Sequence, residues 1–147
     1  MSKIKLLFSY LMGHKRQVTA AIIEKEGKIL IARRKRGSSL GGKWEFPGGK
    51  IEPGERAEEC LRRELEEEFS IEAEIGKFFC SSKFKYHFVP IELLAYKVDR
   101  ISGEFKVNDH EEIKWVFPHE LGDYDFMDAD KAIIRKILKG STSPNNK

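Results

Sequence analysis

Residues Gly49 to Ile71 read GKIEPGERAEECLRRELEEEFSI, and this stretch determines how the rest of the chain is interpreted. The part from Glu55 to Phe69 contains neither glycine nor proline and predicts a helix. On a wheel of about 100° per residue, one side is apolar and the opposite side is polar. The apolar side holds Ala57, Cys60, Leu61 and Leu65, and the polar side holds Glu59, Arg62 and Glu66. We therefore expect a helix whose apolar side faces a sheet.

Three glutamates of this helix have unusual positions. Glu64 and Glu68 fall within the apolar side, and Glu67 lies at its edge. A buried carboxylate protonates unless it meets a cation, and Mg²⁺ is held by carboxylate oxygens. The spacing i, i+3, i+4 brings all three within reach of one ion cluster. The alternative is a solvated acidic run, which we accept for Glu66, and the wheel alone leaves both interpretations of the other three open.

The same stretch resembles the Nudix box, G-x5-E-x7-R-E-U-x-E-E-x-G-U, where U is an apolar residue. All fixed positions but one match, and the matching residues are Gly49, Glu55, Arg63, Glu64, Leu65, Glu67, Glu68 and Ile71. Ser70 stands where the family has a glycine that ends the helix in a left-handed conformation. We expect strain at this turn but no lost ligand. The preceding WEFPG, residues 44–48, is similar to that of MutT-like nucleoside triphosphate pyrophosphohydrolases.

The resemblance implies a divalent metal site. The carboxylates of Glu64, Glu67 and Glu68 and the backbone carbonyl of Gly48 would bind Mg²⁺, with Mn²⁺ able to replace it. Such ions act as Lewis acids, neutralise developing charge and activate the attacking water.

The resemblance also implies roles for residues around the metal ligands. Glu55 and Arg63 match a pair that supports the ligand helix, and a structural ion pair is our first interpretation of both. Lys50 follows the glycine pair, and it either meets the departing phosphate or is solvated.

A basic run, Arg33 to Arg36, ends the second predicted strand. In MutT-like proteins a basic residue at this place reaches the substrate phosphates. Because neighbours along a strand alternate faces, we expect Arg33 or Arg34 to point to the substrate, and Lys35 and Arg36 to be solvated.

An acidic loop holds Asp109, Glu111 and Glu112, just before the strand that contains Trp115. Relatives place a further metal ligand or a general base there. The alternative is an ordinary solvated loop.

The segment from Tyr124 to Asp130 resembles the base-recognition segment of MutT-like and CTP pyrophosphohydrolase-like proteins. Asp130 falls on the aspartate of their Ala-Asp pair and is the preferred candidate to bind the base. Asp128 either assists or caps the last helix, because its side chain can accept orphan amide donors. Phe46 either lines the base pocket or belongs to the core.

Histidines and cysteines give no sign of a zinc site. None of His14, His87, His110 and His119 has a metal-ligand partner at helical spacing, so we assign them no role. Cys60 and Cys80 are the only cysteines, and their spacing suits neither a C-x-x-C motif nor a disulfide framework. We interpret them as reduced thiols and expect a cytoplasmic protein.

The remaining chain predicts an α+β fold. Val18 to Glu24 and Lys28 to Arg34 favour a β-hairpin, and further strands are expected at residues 71–88, 90–98 and 113–117. A last helix is expected from Met127 to Lys139. The resemblance implies the Nudix fold, an α/β/α sandwich whose mixed sheet lies between the Nudix-box helix and the C-terminal helix. We expect one domain over residues 16–140, an N-terminal extension over 1–15 and a disordered tail over 141–147.

Composition excludes several classes of function. The chain has 147 residues, of which 40% are hydrophobic and 35% charged, with a net charge of +3. So small a charge does not favour a nucleic-acid polymer or a membrane surface as partner. The apolar run from Ile4 to Met12 is interrupted by Lys5 and lacks a small-residue cleavage site, so we do not interpret it as a removed signal.

The leading hypothesis is therefore a hydrolase that converts nucleoside triphosphates to monophosphate and pyrophosphate, with oxidised guanine or cytosine nucleotides as candidate substrates in nucleotide-pool sanitation. The first alternative is another Nudix diphosphatase, acting on ADP-ribose or a dinucleoside polyphosphate. The second is a non-catalytic nucleotide-binding module, against which the three convergent carboxylates argue. The partner is a small nucleotide in the first two cases, and both a monomer and a homodimer remain open.

Overall fold

A computed structural model describes residues 16–141 of the chain. In chain order the strands and helices are β1 (Gln17–Lys25), β2 (Lys28–Arg34), β3 (Trp44–Glu45), α1 (Ala57–Phe69), β4 (Glu72–Tyr86), β5 (Val89–Ser102), β6 (His110–Val116) and α2 (Lys131–Ser141). Short 3₁₀ turns at Pro118–Asp123 and Asp128–Asp130 precede α2. The expected extension at residues 1–15 lies outside the described residues, and so does the expected tail over 141–147 apart from Ser141, which is the last residue of α2.

The strands form one mixed sheet around β1. β1 pairs in parallel with β5, which pairs antiparallel with β4, while β2 pairs antiparallel with β1, β3 and β6. The predicted β1–β2 hairpin is present, and its turn residues Glu26 and Gly27 both have positive φ, as the primed turns require. β4 and β5 form a long hairpin in which Glu72 pairs with Ser102. This pairing extends β5 past the predicted end at Val98, because backbone hydrogen bonds hold polar residues as well as apolar ones.

β1 and β2 separate soon after their shared turn, and another segment takes the place of β2 beside β1. The two strands are paired only at Glu24 with Ile29 and Lys25 with Lys28. Further along, the amides of Ala21 and Thr19 donate to Pro47 O and Gly49 O at 2.7 and 2.8 Å. The glycine turn that precedes the predicted ligand helix is thereby fixed on the central strand.

Alternation along β1 and β2 divides the core between the two faces of the sheet. On one face Ala21, Ile23 and Leu30 pack with the α1 residues Leu61, Leu65 and Phe69. On the other face Val18, Ala20, Ile22, Ile29 and Ile31 pack with Ile133 and Ile137 of α2. Fully burying one such side chain contributes about 1.5–3 kcal/mol. The helix–sheet–helix layering predicted from the sequence is confirmed.

α1 shows the faces that the helical wheel predicts. Cys60, Leu61 and Leu65 are buried, as are Glu64 and Glu68, whereas Arg62 and Glu66 are exposed. The helix begins at Ala57, later than predicted, and Glu59 accepts the amide of Arg56 at 2.8 Å. It ends at Phe69, and the next residue, Ser70, has the expected left-handed conformation with φ 58° and ψ 34°.

Between residues 16 and 141, no helix has both the length and the apolar character needed to cross a membrane.

Candidate active site

The glycine pair before α1 makes room for main chain on one side and a carboxylate on the other. A Cβ on Gly48, whose φ is 149°, would lie 2.1 Å from Thr19 O. A Cβ on Gly49 would lie 2.5 Å from the carboxyl carbon of Glu64. Pro47 O and Gly49 O both face β1, and since carbonyls alternate along an extended segment, the carbonyl of Gly48 points away from that strand. Glycine at both positions thus lets the main chain approach the α1 carboxylates.

Arg63, on α1, forms hydrogen bonds to the loop that precedes this helix. Its guanidinium donates to both carboxylate oxygens of Glu55, at 2.7 and 2.9 Å, and to Lys50 O at 3.1 Å. It also donates to Glu64 Oε2 at 2.8 Å and Glu67 Oε1 at 3.4 Å. The hydrogen bonds from Arg63 lower the pKa of Glu55, and those to Glu55 raise the pKa of Arg63. Arg63 therefore stays charged and holds α1 in a fixed orientation against the loop before it.

Glu64 and Glu68 are buried carboxyl groups on the face of α1 that turns toward the glycines. Their side chains are 0% and 4% exposed. Burial raises the pKa of both, and the charges of Glu64, Glu45 and Asp109 raise the pKa of Glu68 further. Among the described residues, Glu68 Oε1 has no hydrogen-bond partner. Glu67 differs, because its side chain is 54% exposed.

The thiol of Cys60 lies directly behind the glycine turn. Its Sγ is 3.4 Å from Thr19 Oγ1 and 3.3 Å from Lys50 O, and the residue is completely buried. Burial raises the pKa of Cys60 to about 12. The thiol thus acts as a small neutral packing group that fixes the turn.

A buried polar group that the sequence pattern did not predict is formed by Glu45, Arg34 and His110. His110 Nε2 lies 2.9 Å from Glu45 Oε2, and Arg34 Nη1 lies 3.6 Å from Glu45 Oε1. The His110 ring also stacks on Phe69 at 5.5 Å between centroids. One signal was available: Glu45 stands between two apolar neighbours in a strand, so it must face the side opposite to both.

The two arginines at the end of β2 point in opposite directions. Arg34 is buried and donates twice to Ser39 O, at 3.1 and 3.0 Å, on the side of Glu45. Arg33 lies on the other side, where its guanidinium is 5.6 Å from the Trp44 ring and 2.8 Å from Glu111 Oε2. It also contacts Glu112 Oε1 at 2.5 Å. The alternation expected for this run is present, with Arg34 toward the carboxylates of α1.

Lys50 and Asp109 are the remaining predicted residues near the carboxylates. Lys50 is buried and lies opposite Val18 in an isolated β-bridge. Asp109 is exposed, and its charge contributes to the raised pKa of Glu68. Both therefore lie at the same end of the sheet as the glycine turn.

The segment before α2, residues 124–130, lies next to the candidate site because its backbone forms hydrogen bonds with β3. Trp44 N donates to Asp125 O and Met127 N donates to Trp44 O, both at 2.9 Å.

Asp130 is completely buried, and its Oδ2 accepts the amide of Phe46 at 3.2 Å. Phe46 is also completely buried, and its ring packs in a tilted arrangement against Phe126 at 5.3 Å between centroids. Asp128 is exposed and pairs with Lys131 at 2.9 Å, a contact that lowers the pKa of Asp128.

The site thus combines a glycine turn, buried helix carboxylates and a nearby arginine, which are groups that suit a phosphorylated substrate and a hard cation. A sequence model of the family described as the NUDIX domain matches residues 13–137. The chain belongs to this family and is a Nudix hydrolase.

Individual relatives resemble the chain over most of its length. It is 38% identical over 122 residues to the CTP pyrophosphohydrolase of Escherichia coli K12, covering 83% of this chain and 90% of the relative. It is 36% identical over 123 residues to the 8-oxo-dGTP diphosphatase of Haemophilus influenzae, covering 83% and 90%.

Solved structures show the same fold. The solution structure of the E. coli ORF135 protein superposes with a TM-score of 0.81 at 34% identity, covering 92% of this chain and 98% of that chain. The crystal structure of the MutT NUDIX hydrolase from Burkholderia pseudomallei gives a TM-score of 0.74 at 27% identity, covering 84% and 98%. The predicted family and fold are therefore confirmed.

Hydrolases of this family work with a divalent metal ion, and the residues present fit one. Within residues 16–141, no three His, Cys, Asp or Glu side chains are already gathered as a ligand set. Glu64 and Glu67 both accept hydrogen bonds from the Arg63 guanidinium. Glu68 Oε1, which has no hydrogen-bond partner among the described residues, and the oxygen-only donors nevertheless suit a hard divalent ion, whose charge would favour the ionised form of both buried carboxyls.

Proposed function

We propose that the chain is a Mg²⁺-dependent nucleoside triphosphate pyrophosphohydrolase, with Mn²⁺ able to replace Mg²⁺. Water attacks the β-phosphorus, the bond from that phosphorus to the oxygen shared with the α-phosphate breaks, and monophosphate and pyrophosphate leave. The observation that carries the proposal is the buried pair Glu64 and Glu68 facing the glycine turn, with Arg34 on the same side of the sheet.

Glu64, Glu67 and Glu68, with the carbonyl of Gly48, are the proposed metal ligands. When bound, the metal neutralises phosphate charge and lowers the pKa of the attacking water. Glu55 and Arg63 hold α1 in place, since their bidentate contact resists rotation of the helix.

Other side chains would bind the phosphates and accept a proton. Arg34 presents a guanidinium, whose planar donor set suits phosphate oxygens. Lys50 follows the glycine pair and would meet the departing phosphate. Asp109 is the first candidate for the general base because it lies near Glu68. Glu112 is only the second candidate, because it contacts Arg33, which lies on the side of β2 that faces away from the α1 carboxylates.

The base would be bound where Asp130 and Phe46 meet. A carboxylate accepts hydrogen bonds from exocyclic amino and ring N–H groups, so it suits guanine-like or cytosine-like edges better than the carbonyl edge of uracil. The names of the relatives agree, as they act on CTP and 8-oxo-dGTP. We propose nucleotide-pool sanitation as the task, in the cytoplasm, where the free thiols of Cys60 and Cys80 remain reduced.

Product analysis on a nucleotide panel tests the reaction. The purified chain with Mg²⁺ should release pyrophosphate and monophosphate from cytosine and guanine triphosphates, including oxidised forms, and act poorly on thymine and uracil triphosphates. Preferred cleavage of ADP-ribose or diadenosine polyphosphates would replace the proposal with another Nudix diphosphatase. Binding without any turnover would indicate a non-catalytic module.

Two aspartate variants test how the base is selected. Asp130→Ala should lower kcat/KM for the preferred base by about tenfold to a hundredfold, because a lost partner of a buried polar edge costs about 1–3 kcal/mol. Asp128→Ala should have the smaller effect, since its side chain is 89% exposed. An unchanged ranking of substrates in both variants would show that the base is selected elsewhere.

A further inference from the structure

α1 ends without the family's glycine, and another part of the chain satisfies its last carbonyls. The final carbonyls of a helix have no partner within the helix. Here Glu66 O accepts the amide of Ser70 at 2.9 Å, and the next three accept donors from the loop before β6. Asn108 Nδ2 donates to Glu67 O, Asn108 N donates to Glu68 O, and Lys106 N donates to Phe69 O, at 3.0, 3.0 and 2.9 Å.

Ser70 takes part in the same arrangement. Its hydroxyl oxygen accepts a hydrogen bond from Asn108 Nδ2 at 3.1 Å. A glycine at this position would adopt φ 58° with less strain but would offer no side-chain acceptor. Ser70 is therefore an acceptor for Asn108 as well as a tolerated replacement for glycine.

The position of these contacts matters more than their individual strength. Asn108 binds the carbonyls of Glu67 and Glu68, two of the proposed metal ligands. The next residue, Asp109, is the proposed general base. One exposed hydrogen bond adds only about 0.5–1.5 kcal/mol to stability, but groups that orient metal ligands commonly have larger effects on metal affinity and activity.

We infer that Asn108 is a positioning residue, which locks the loop carrying Asp109 onto the end of α1 and so fixes the spacing between the proposed base and the carboxylates of Glu67 and Glu68. This inference rests on the proposed function. Asn108 touches neither substrate nor metal in this scheme, and acts through the backbone of the ligand helix.

Mn²⁺ binding to the full chain without nucleotide, measured by electron paramagnetic resonance, tests the inference apart from turnover. N108D keeps the size of the side chain but loses the amide donor, and N108A removes the group. Both should weaken Mn²⁺ binding by about tenfold, and S70A, which loses one acceptor, by about two- to threefold. The matched control is K106A, because Lys106 uses its backbone amide in the arrangement, and its affinity should stay within about twofold of wild type.

Two further measurements separate positioning from general destabilisation. At saturating Mn²⁺, N108D should lower kcat by about tenfold while KM stays within about twofold, since a misplaced base affects the chemical step. Hydrogen exchange of residues 104–110 in metal-free protein should be faster in N108D but not in K106A.

The outcomes distinguish the inference from the function on which it rests. A wild-type chain that binds no Mn²⁺ would overturn both. Wild-type-like affinity and kcat in N108D and N108A, with Mn²⁺ bound normally, would overturn the inference alone. If neither variant folds, S70A provides the test, and an unchanged Mn²⁺ affinity in S70A would then overturn the inference about Asn108.

Discussion

Replacing Glu68 by glutamine should stabilise the metal-free protein and at the same time remove most of its activity. Glu68 is 4% exposed, and its Oε1 has no hydrogen-bond partner among the described residues. The charges of Glu64 and Glu45 oppose its ionisation. Glutamine has nearly the same shape and no charge, so the variant removes this repulsion while it also removes a proposed metal ligand.

The magnitudes follow from the burial of the group. Leaving a buried polar group without a partner costs about 1–3 kcal/mol, and a charged group costs more. Because glutamine is also polar, E68Q removes only the excess cost of the charge, on the order of 1–3 kcal/mol. For a chain of this length, 1 kcal/mol shifts Tm by about 2–4 °C, so E68Q should raise the metal-free Tm by about 2–12 °C near pH 8. Losing one group that stabilises transition-state charge should lower kcat by about 10²–10³-fold.

The assay combines thermal unfolding in a chelator with turnover at saturating Mg²⁺. E66Q is the matched control, because Glu66 is exposed on the opposite side of the same helix, and it should change neither quantity. Near pH 5 the Tm gain of E68Q should shrink, because the raised pKa of Glu68 makes more of the wild-type carboxyl neutral there than near pH 8. Near-normal turnover in E68Q, a lower metal-free Tm at high pH, or an equal loss of activity in E66Q would each refute the reasoning.

Two other predictions concern the same carboxylates. Because burial raises the folded-state pKa of Glu64 and Glu68 above 4.5, their protonated forms stabilise the metal-free protein, and this stabilisation is lost as pH rises through the raised values. A divalent ion should therefore increase Tm by more near pH 8 than near pH 5, and the rate should rise from about pH 6 to about pH 8; a rate maximum below about pH 6 would contradict this. Gly49→Ala should weaken metal binding and lower stability by about 1–3 kcal/mol, because the new Cβ would meet Glu64 at 2.5 Å. Gly122→Ala, with nothing within 4 Å of its Cβ, is the control in thermal unfolding and Mn²⁺ titration.

The sequence predicted the parts of the site that depend on local periodicity. Glu64 and Glu68 could be placed on the buried side of α1 because helical spacing alone determines which residues share a face. The alternation of Arg33 and Arg34 follows from strand geometry in the same way. The layer order of the fold followed from the family resemblance.

The missed features depend on contacts between distant parts of the chain. His110 was assigned no role because its partner, Glu45, is 65 residues away in sequence. The contact of Asn108 with Glu67 spans 41 residues. Contacts between residues this far apart produce no periodic pattern in the sequence. They depend on the tertiary fold, in which β6 pairs with β2 and the loop before β6 lies against the end of α1.

The buried thiol of Cys60 bears on the proposed task, which would expose the protein to the conditions under which nucleotides are oxidised. Peroxides attack the thiolate form of cysteine. Burial raises the pKa of Cys60 to about 12, so its thiolate form is rare at neutral pH. Sulfenic acid would add an oxygen between Thr19 and the glycine turn, where Sγ already lies 3.4 Å from Thr19 Oγ1. Burial and the raised pKa of Cys60 thus protect the helix that carries the proposed metal ligands from oxidation at this position.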